Sequence, residues 1–171
     1  MIKRLVIFGV SSWLSAQAFA QAEEQEANLK AAFIYNFTRY TDWDTTGTET
    51  NFIIGVMGSS PIVAPLRKIA EHNFVKNRKI TLRVFARPED IRFCHILFIP
   101  QTFSFGLAEV LNMTDKNMLT ISEEPGYARR GTAINFVLVN NKLKFEINLN
   151  AVSKSGLRMS AQLLKLAIIV D

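Results

Sequence analysis

The chain has 171 residues, with 20 basic against 15 acidic side chains, 13 phenylalanines and a single cysteine. That length suits one domain with one good core. The basic residues are scattered rather than gathered into the stripe a nucleic-acid partner requires, and one cysteine excludes a disulfide within the chain.

Lys3 and Arg4 lead into the apolar run Leu5 to Leu14 and then into Ala18-Phe19-Ala20. A charged start, an apolar middle and an A-x-A site are the parts of a secretory signal peptide, so residues 1–20 are expected to be removed during export. The run is too short to cross a bilayer, which needs about twenty residues. Residues 21–171 then form one α/β domain, with 18 basic and 15 acidic side chains.

The segment from Ala22 starts acidic at Glu23, Glu24 and Glu26 and then spaces Leu29, Ala32, Phe33, Phe37 and Tyr40 by threes and fours. This predicts an amphipathic helix with its glutamates at the positive end of the dipole. A polar loop follows from Asp42 to Asn51. The run FIIGVM, Phe52 to Met57, reads as a buried strand. The turn Gly58-Ser59-Ser60-Pro61 then opens a helix to about His72, with Ser60 as N-cap and Pro61 at the first helical position.

Lys79 to Ala86 alternates apolar and polar residues, the period of a half-buried strand with Ile80, Leu82 and Val84 inward. Arg87-Pro88-Glu89-Asp90 ends it. Cys94 to Ile99 is a further apolar strand, Phe103 to Leu111 a short helix and Met118 to Ile121 a small strand, followed by the loop Ser122 to Gly131. Ala133 to Val139 and Leu143 to Ile147 flank Asn140-Asn141, which predicts a tight hairpin. Asn150 to Ile169 reads as a closing helix on the spacing of Leu157, Leu163, Leu164, Ala167 and Ile168, with Gly156 as a point of kinking or interruption. Three βα units, a hairpin and a closing helix predict a three-layer α/β/α sandwich around a mixed sheet of five or six strands.

The adjacent pair Cys94-His95 invites a reading as a thiol dyad, but successive side chains on a strand point to opposite faces. The alternation places Cys94 with Ile96 and Phe98, and His95 with Leu97 and Ile99. Cys94 is therefore read as a lone buried thiol. His72, His95 and Cys94 lack ligand spacing, so neither a metal site nor a cofactor is expected. His72 reads as a solvated residue at a helix end. The Ser59-Ser60 turn presents amides and hydroxyls at a helix start, where an anion can sit, although capping alone explains Ser60. Tyr127, Arg129 and Arg130 stand on the SEEPGYARRG loop and are of the types that dominate interface hot spots.

Five ordered stretches, KAAFIYNFTRYTDW, IIGVMGSSP, FCHILFIP, GTAINFVLVNNKLKFEIN and GLRMSAQLLKLA, together resemble the YfiR/HmsC family of periplasmic proteins, from about Asn28 to Ala167. The resemblance implies a domain without catalysis. It would inhibit an inner-membrane diguanylate cyclase by binding the cyclase's periplasmic sensor region, lowering cyclic di-GMP and biofilm formation. It also implies release through an outer-membrane OmpA-like lipoprotein, and homodimers. Relatives' intramolecular disulfides have no counterpart here, because Cys94 has no partner in its own chain.

On that footing the partner surface is placed at Glu146, Asn148 and Val152 around the last strand and final helix, with Tyr127, Arg129 and Arg130 as a second patch. A different reading is a small-ligand binder or sensor using the Ser59-Ser60 turn at the carboxyl edge of the sheet. A hydrolase or thiol enzyme ranks last, for want of a nucleophile and base within reach of one another.

Overall fold

The computed structural model describes residues 7–43 and 49–171, with side-chain surroundings from Ala20 onward. Helix α1 spans Ile7–Tyr40 and runs straight into the two-residue strand β1, Thr41–Asp42. It is continuous through the expected cleavage point, so in the full chain the three glutamates lie inside the helix and not in its first turn. Part of the loop expected over Asp42–Asn51 lies outside the described residues. No helix among the described residues is long and apolar enough to cross a membrane.

There follow β2 (Phe52–Met57), α2 (Val63–His72), β3 (Phe74–Val75), β4 (Arg78–Phe85), a 3-10 turn at Pro88–Asp90, β5 (Ile96–Ile99), α3 (Leu107–Asn112) and β6 (Leu119–Ser122). The chain ends with β7 (Ile134–Val139), β8 (Lys142–Asn148), α4 (Leu149–Lys154), β9 (Arg158–Met159), α5 (Ala161–Leu166) and β10 (Ile168–Val170). Helix α2 starts at Val63, after a turn in which Ser60 Oγ faces the Ile62 N–H at 3.4 Å and the Ser60 carbonyl accepts from Val63.

Among the described residues the main sheet has eight strands in the order β10-β8-β7-β6-β5-β2-β4-β3. Its centre, β4-β2-β5-β6-β7, is parallel, the β7-β8 and β3-β4 pairs are antiparallel, and β10 runs parallel to β8. The two strands beyond the expected six are the short edges β3 and β10. Asn140 and Asn141 both take left-handed φ, 51° and 58°, as the two-residue turn between β7 and β8 demands. Crossovers from β2 pass to β4 on one side, and the chain returns to β5 on the other. The order reverses between β2 and β5, where α/β sheets usually place a ligand crevice.

The sheet separates two apolar cores. One holds Ile34 and Phe37 of α1, Leu66 of α2, the inward residues Phe52, Ile54, Ile96, Phe98, Ile121, Ile134 and Ile147 of the strands, and Val152, Leu157 and Leu163 near the C-terminus. The other packs α3 and the Ile91–Cys94 segment on Ile53, Met57, Leu97 and Ile99. Helices on both faces of a mixed sheet are the architecture expected.

Three expectations are corrected. The buried stripe of α1 is Ala27, Ala31, Ile34, Phe37 and Thr38, while Leu29 and Tyr40 face outward. Two alanines let the helix lie close to α2, which the bulkier set would not. The closing helix is broken: Gly156 turns left-handed at φ 75°, β9 pairs with β1, Ser160 accepts from the Leu163 N–H to start α5, and Ile168–Val170 becomes a strand. Val84 is half exposed, because β3 covers only the first residues of β4 and leaves its far end open.

Candidate functional site

The loop between β6 and β7 is held from beneath by buried polar side chains on the sheet face opposite α1. Ser122 Oγ donates to Asn135 Oδ1 at 2.7 Å and lies 2.8 Å from Thr132 Oγ1. Thr120 Oγ1 accepts from the Ala133 N–H at 2.9 Å, and Asn135 Nδ2 donates to Glu146 at 3.3 Å. Asn148 Nδ2 donates to the Ala128 carbonyl at 2.8 Å, while its Oδ1 caps α4 through the Ala151 N–H at 2.9 Å. Buried polar atoms left unpaired are costly, so this satisfied set favours one loop conformation over its alternatives.

The consequence is a buried Ala128 with Arg129 and Arg130 exposed immediately beyond it. The Arg130 guanidinium sits 4.9 Å from the centre of the Tyr127 ring, a cation–π contact that orients both. Arg129, Arg130 and Asn148 converge on a cleft of about 750 Å³ at the amino edge of β6 and β7, with Lys116, Thr120 and Lys154 also on its walls. Glu146 lies on the same sheet face, half-buried, two residues from Asn148.

The expected partner residues therefore divide. Tyr127, Arg129, Arg130 and Glu146 have accessible surface, whereas Asn148 and Val152 are each only 5% exposed. Asn148 is consumed as a cap and loop anchor, and Val152 packs into the core beneath α1. The exposure expected of those two does not hold. The polar anchors Ser122, Thr132 and Asn135 had no signal in sequence, since single hydroxyl and amide residues in apolar strands carry no spacing pattern.

At the reversal point between β2 and β5 a smaller groove of about 410 Å³ is lined by Ser60, Gln101, Thr102, Lys30, Glu26 and Glu123. Ser59 is exposed, and its carbonyl accepts from Thr102 Oγ1 at 3.3 Å. Lys30 bridges Glu26 and Glu123, and Glu123 also accepts from the Gln101 N–H at 3.0 Å. Burial works to lower the Lys30 pKa, but the hydrogen bonds and charges of Glu123 and Glu26 outweigh it, and the ammonium is held above its ordinary range. With Lys30 already shared by two carboxylates, the groove opposes the anion expected at Ser59-Ser60.

Cys94 and His95 do lie on opposite sides, but with the faces reversed from the expected alternation. Strand β5 begins only at Ile96, and His95 sits in a bend ahead of it. Cys94 packs with Leu97 and Ile99. Burial pushes its thiol up to about 12, against the smaller opposing effects of a Gly55 backbone hydrogen bond and Arg83. His95 stacks on Phe52 at 4.5 Å, accepts the Ile53 N–H at Nδ1, and its backbone carbonyl accepts from Trp43 Nε1. His72 is exposed at the end of α2, with Nδ1 2.9 Å from the Lys68 carbonyl. No group of three His, Cys, Asp or Glu side chains among the described residues could hold a metal ion.

The family model described as YfiR/HmsC-like matches residues 27–168. The chain belongs to the YfiR/HmsC-like family. That match runs from the buried stripe of α1 to the start of β10, so it takes in the pinned loop, the cleft and both cores. No curated protein matches the chain. Membership of the YfiR/HmsC-like family supports a regulatory role in diguanylate cyclase systems, rather than an enzymatic one.

Proposed function

We propose that this protein is a periplasmic inhibitor of an inner-membrane diguanylate cyclase, exported by cleavage after Ala20 and acting by binding the cyclase's periplasmic sensor region. Family membership is the observation that carries the reading. The pinned loop adds to it: Tyr127, Arg129 and Arg130 are presented on backbone tied to the sheet, beside the partly open Glu146. A preordered aromatic and arginine patch loses little side-chain freedom on docking, which favours affinity.

Inhibition then works as a population shift. A protein that binds the silent conformation of the cyclase about 10⁴-fold more tightly than the active one displaces the equilibrium by about 5.5 kcal/mol, enough to turn it from mostly on to mostly off. Sequestration by an outer-membrane OmpA-like lipoprotein would remove the inhibitor and release cyclic di-GMP synthesis, adhesion and biofilm. A homodimer would present the surface twice.

Charge reversal tests the surface. Arg130→Glu should raise cellular cyclic di-GMP toward the level of a strain lacking the protein, with far-UV circular dichroism and thermal midpoint close to those of the parent. Glu146→Lys should do the same with unchanged circular dichroism but a lowered midpoint, because it removes the acceptor of the buried Asn135 amide. Full inhibition by both variants would remove this face from the account.

A further inference from the structure

The amino-edge cleft gathers more positive charge than the cyclase reading uses, which takes only Arg129 and Arg130. Lys116 enters it from the α3–β6 loop, Arg129 and Arg130 from the pinned loop, and Lys154 from the end of α4, while Asp115 and Asp171 are the acidic side chains on its walls. Four cationic side chains thus face two acidic side chains. None of the four takes part in a salt bridge among the described residues, although elsewhere Lys30, Lys76 and Arg87 all find carboxylates. Like charges brought to one concavity repel unless an anion joins them, and a cleft with low-dielectric walls concentrates their field on whatever enters it.

The rest of the lining is mostly polar, with Leu111, Met118 and Ala151 as its apolar part. Thr120 and Asn148 form its floor, both buried and both already hydrogen-bonded within the fold, so the floor is rigid and does not need a ligand to order it. At about 750 Å³ the cleft falls in the size range of small-molecule sites, while its polarity argues against an apolar occupant. The groove at the strand-order reversal differs in sign, since Glu23, Glu26 and Glu123 outnumber Lys30 there.

We propose that the amino-edge cleft binds a small molecule carrying two or more oxyanion groups, held by Lys116 and Lys154 from one wall and Arg129 and Arg130 from the other. Carboxylate and phosphate oxygens both suit the guanidinium fork and the point charge of lysine. The site does not depend on the identity of the protein partner. Because Arg129 and Arg130 are also the exposed patch, an occupied cleft would give the regulator a second, metabolite-borne input.

Isothermal titration calorimetry on the purified protein in low-salt buffer is the test, with citrate and inorganic pyrophosphate as separate titrants and sodium chloride at matched ionic strength as control. The expected result is saturable one-to-one binding of at least one titrant, with the stronger of the two assigning carboxylate or phosphate as the preferred group. Binding should weaken at least tenfold in Lys116→Ala/Lys154→Ala and stay unchanged in Arg67→Ala/Lys68→Ala, which alters the exposed face of α2. It should also weaken steeply as salt is raised from about 0.05 to 0.5 M, because exposed charges are screened over that range. No saturable heat above the salt control overturns the proposal. So does equal binding by the parent and the cleft variant, with circular dichroism confirming that the variant is folded.

Discussion

His95 is a buried ring placed between two N–H donors. Its Nδ1 accepts the Ile53 N–H at 3.0 Å, and Nε2 lies 3.1 Å from an Arg78 guanidinium nitrogen. A neutral imidazole has one acceptor nitrogen and an imidazolium has none, so a second proton would set N–H against N–H at the edge of β2. Burial first, and the Arg78 charge second, lower its pKa to about 4. Well above pH 6.5 the ring is neutral in both folded and unfolded chains. As pH falls from 6.5 toward 4 the unfolded chain takes up the proton first, so stability drops through that window by up to about 3 kcal/mol. Urea unfolding at pH 7.0 and 4.5 should show this loss, and His95→Asn, which keeps an acceptor without titrating, should flatten it. An identical pH slope in both proteins would contradict the assignment.

Elements are held together by close approaches as much as by apolar area. Gly55, in the middle of β2, leaves room for Phe85 and Cys94: a methyl group there would stand 2.7 Å from the Phe85 ring and 2.9 Å from the Cys94 sulfur. Gly55→Ala should therefore destabilise the domain by about 1 to 3 kcal/mol, read as a lower denaturation midpoint at unchanged slope. A shift within about 0.5 kcal/mol, the range of an ordinary surface change, would show that the core around Phe85 and Cys94 yields more easily than its packing implies. On the other face Phe37 of α1 meets Phe145 edge-on at 5.0 Å and stacks near Phe136 at 6.0 Å, which ties the helix to the β7–β8 hairpin.

At this scale the legible parts were those with local chemistry. FIIGVM carries its strand by composition, and Asn140-Asn141 marks its turn because asparagine tolerates left-handed backbone. The C-terminal segment was not legible as it folds. Leu157, Leu163 and Ile168 fit one helical face in sequence, but pairing with β8 and β1 outweighs that periodicity once Gly156 breaks the chain direction. Strands as short as β3, two residues, and β10, three residues, carry too few side chains for any period to show.

In the whole molecule, the sheet carries an acidic groove at one edge, a basic cleft at the other, and an aromatic and arginine loop fixed beside the cleft. Arg129 and Arg130 could be placed on the surface from their loop alone. That Asn148 turns inward could not, because its role depends on the Ala128 carbonyl, twenty residues earlier, lying beside it in the fold. The division of labour fits a regulator that works by binding: the cores and polar anchors hold a surface still, and the surface meets its partners. The central claim is tested most directly by measuring cyclic di-GMP in a strain deleted for this protein and in the same strain complemented with it. The account predicts a rise on deletion and a return to the parental level on complementation; an unchanged cyclic di-GMP level in the deletion would contradict it.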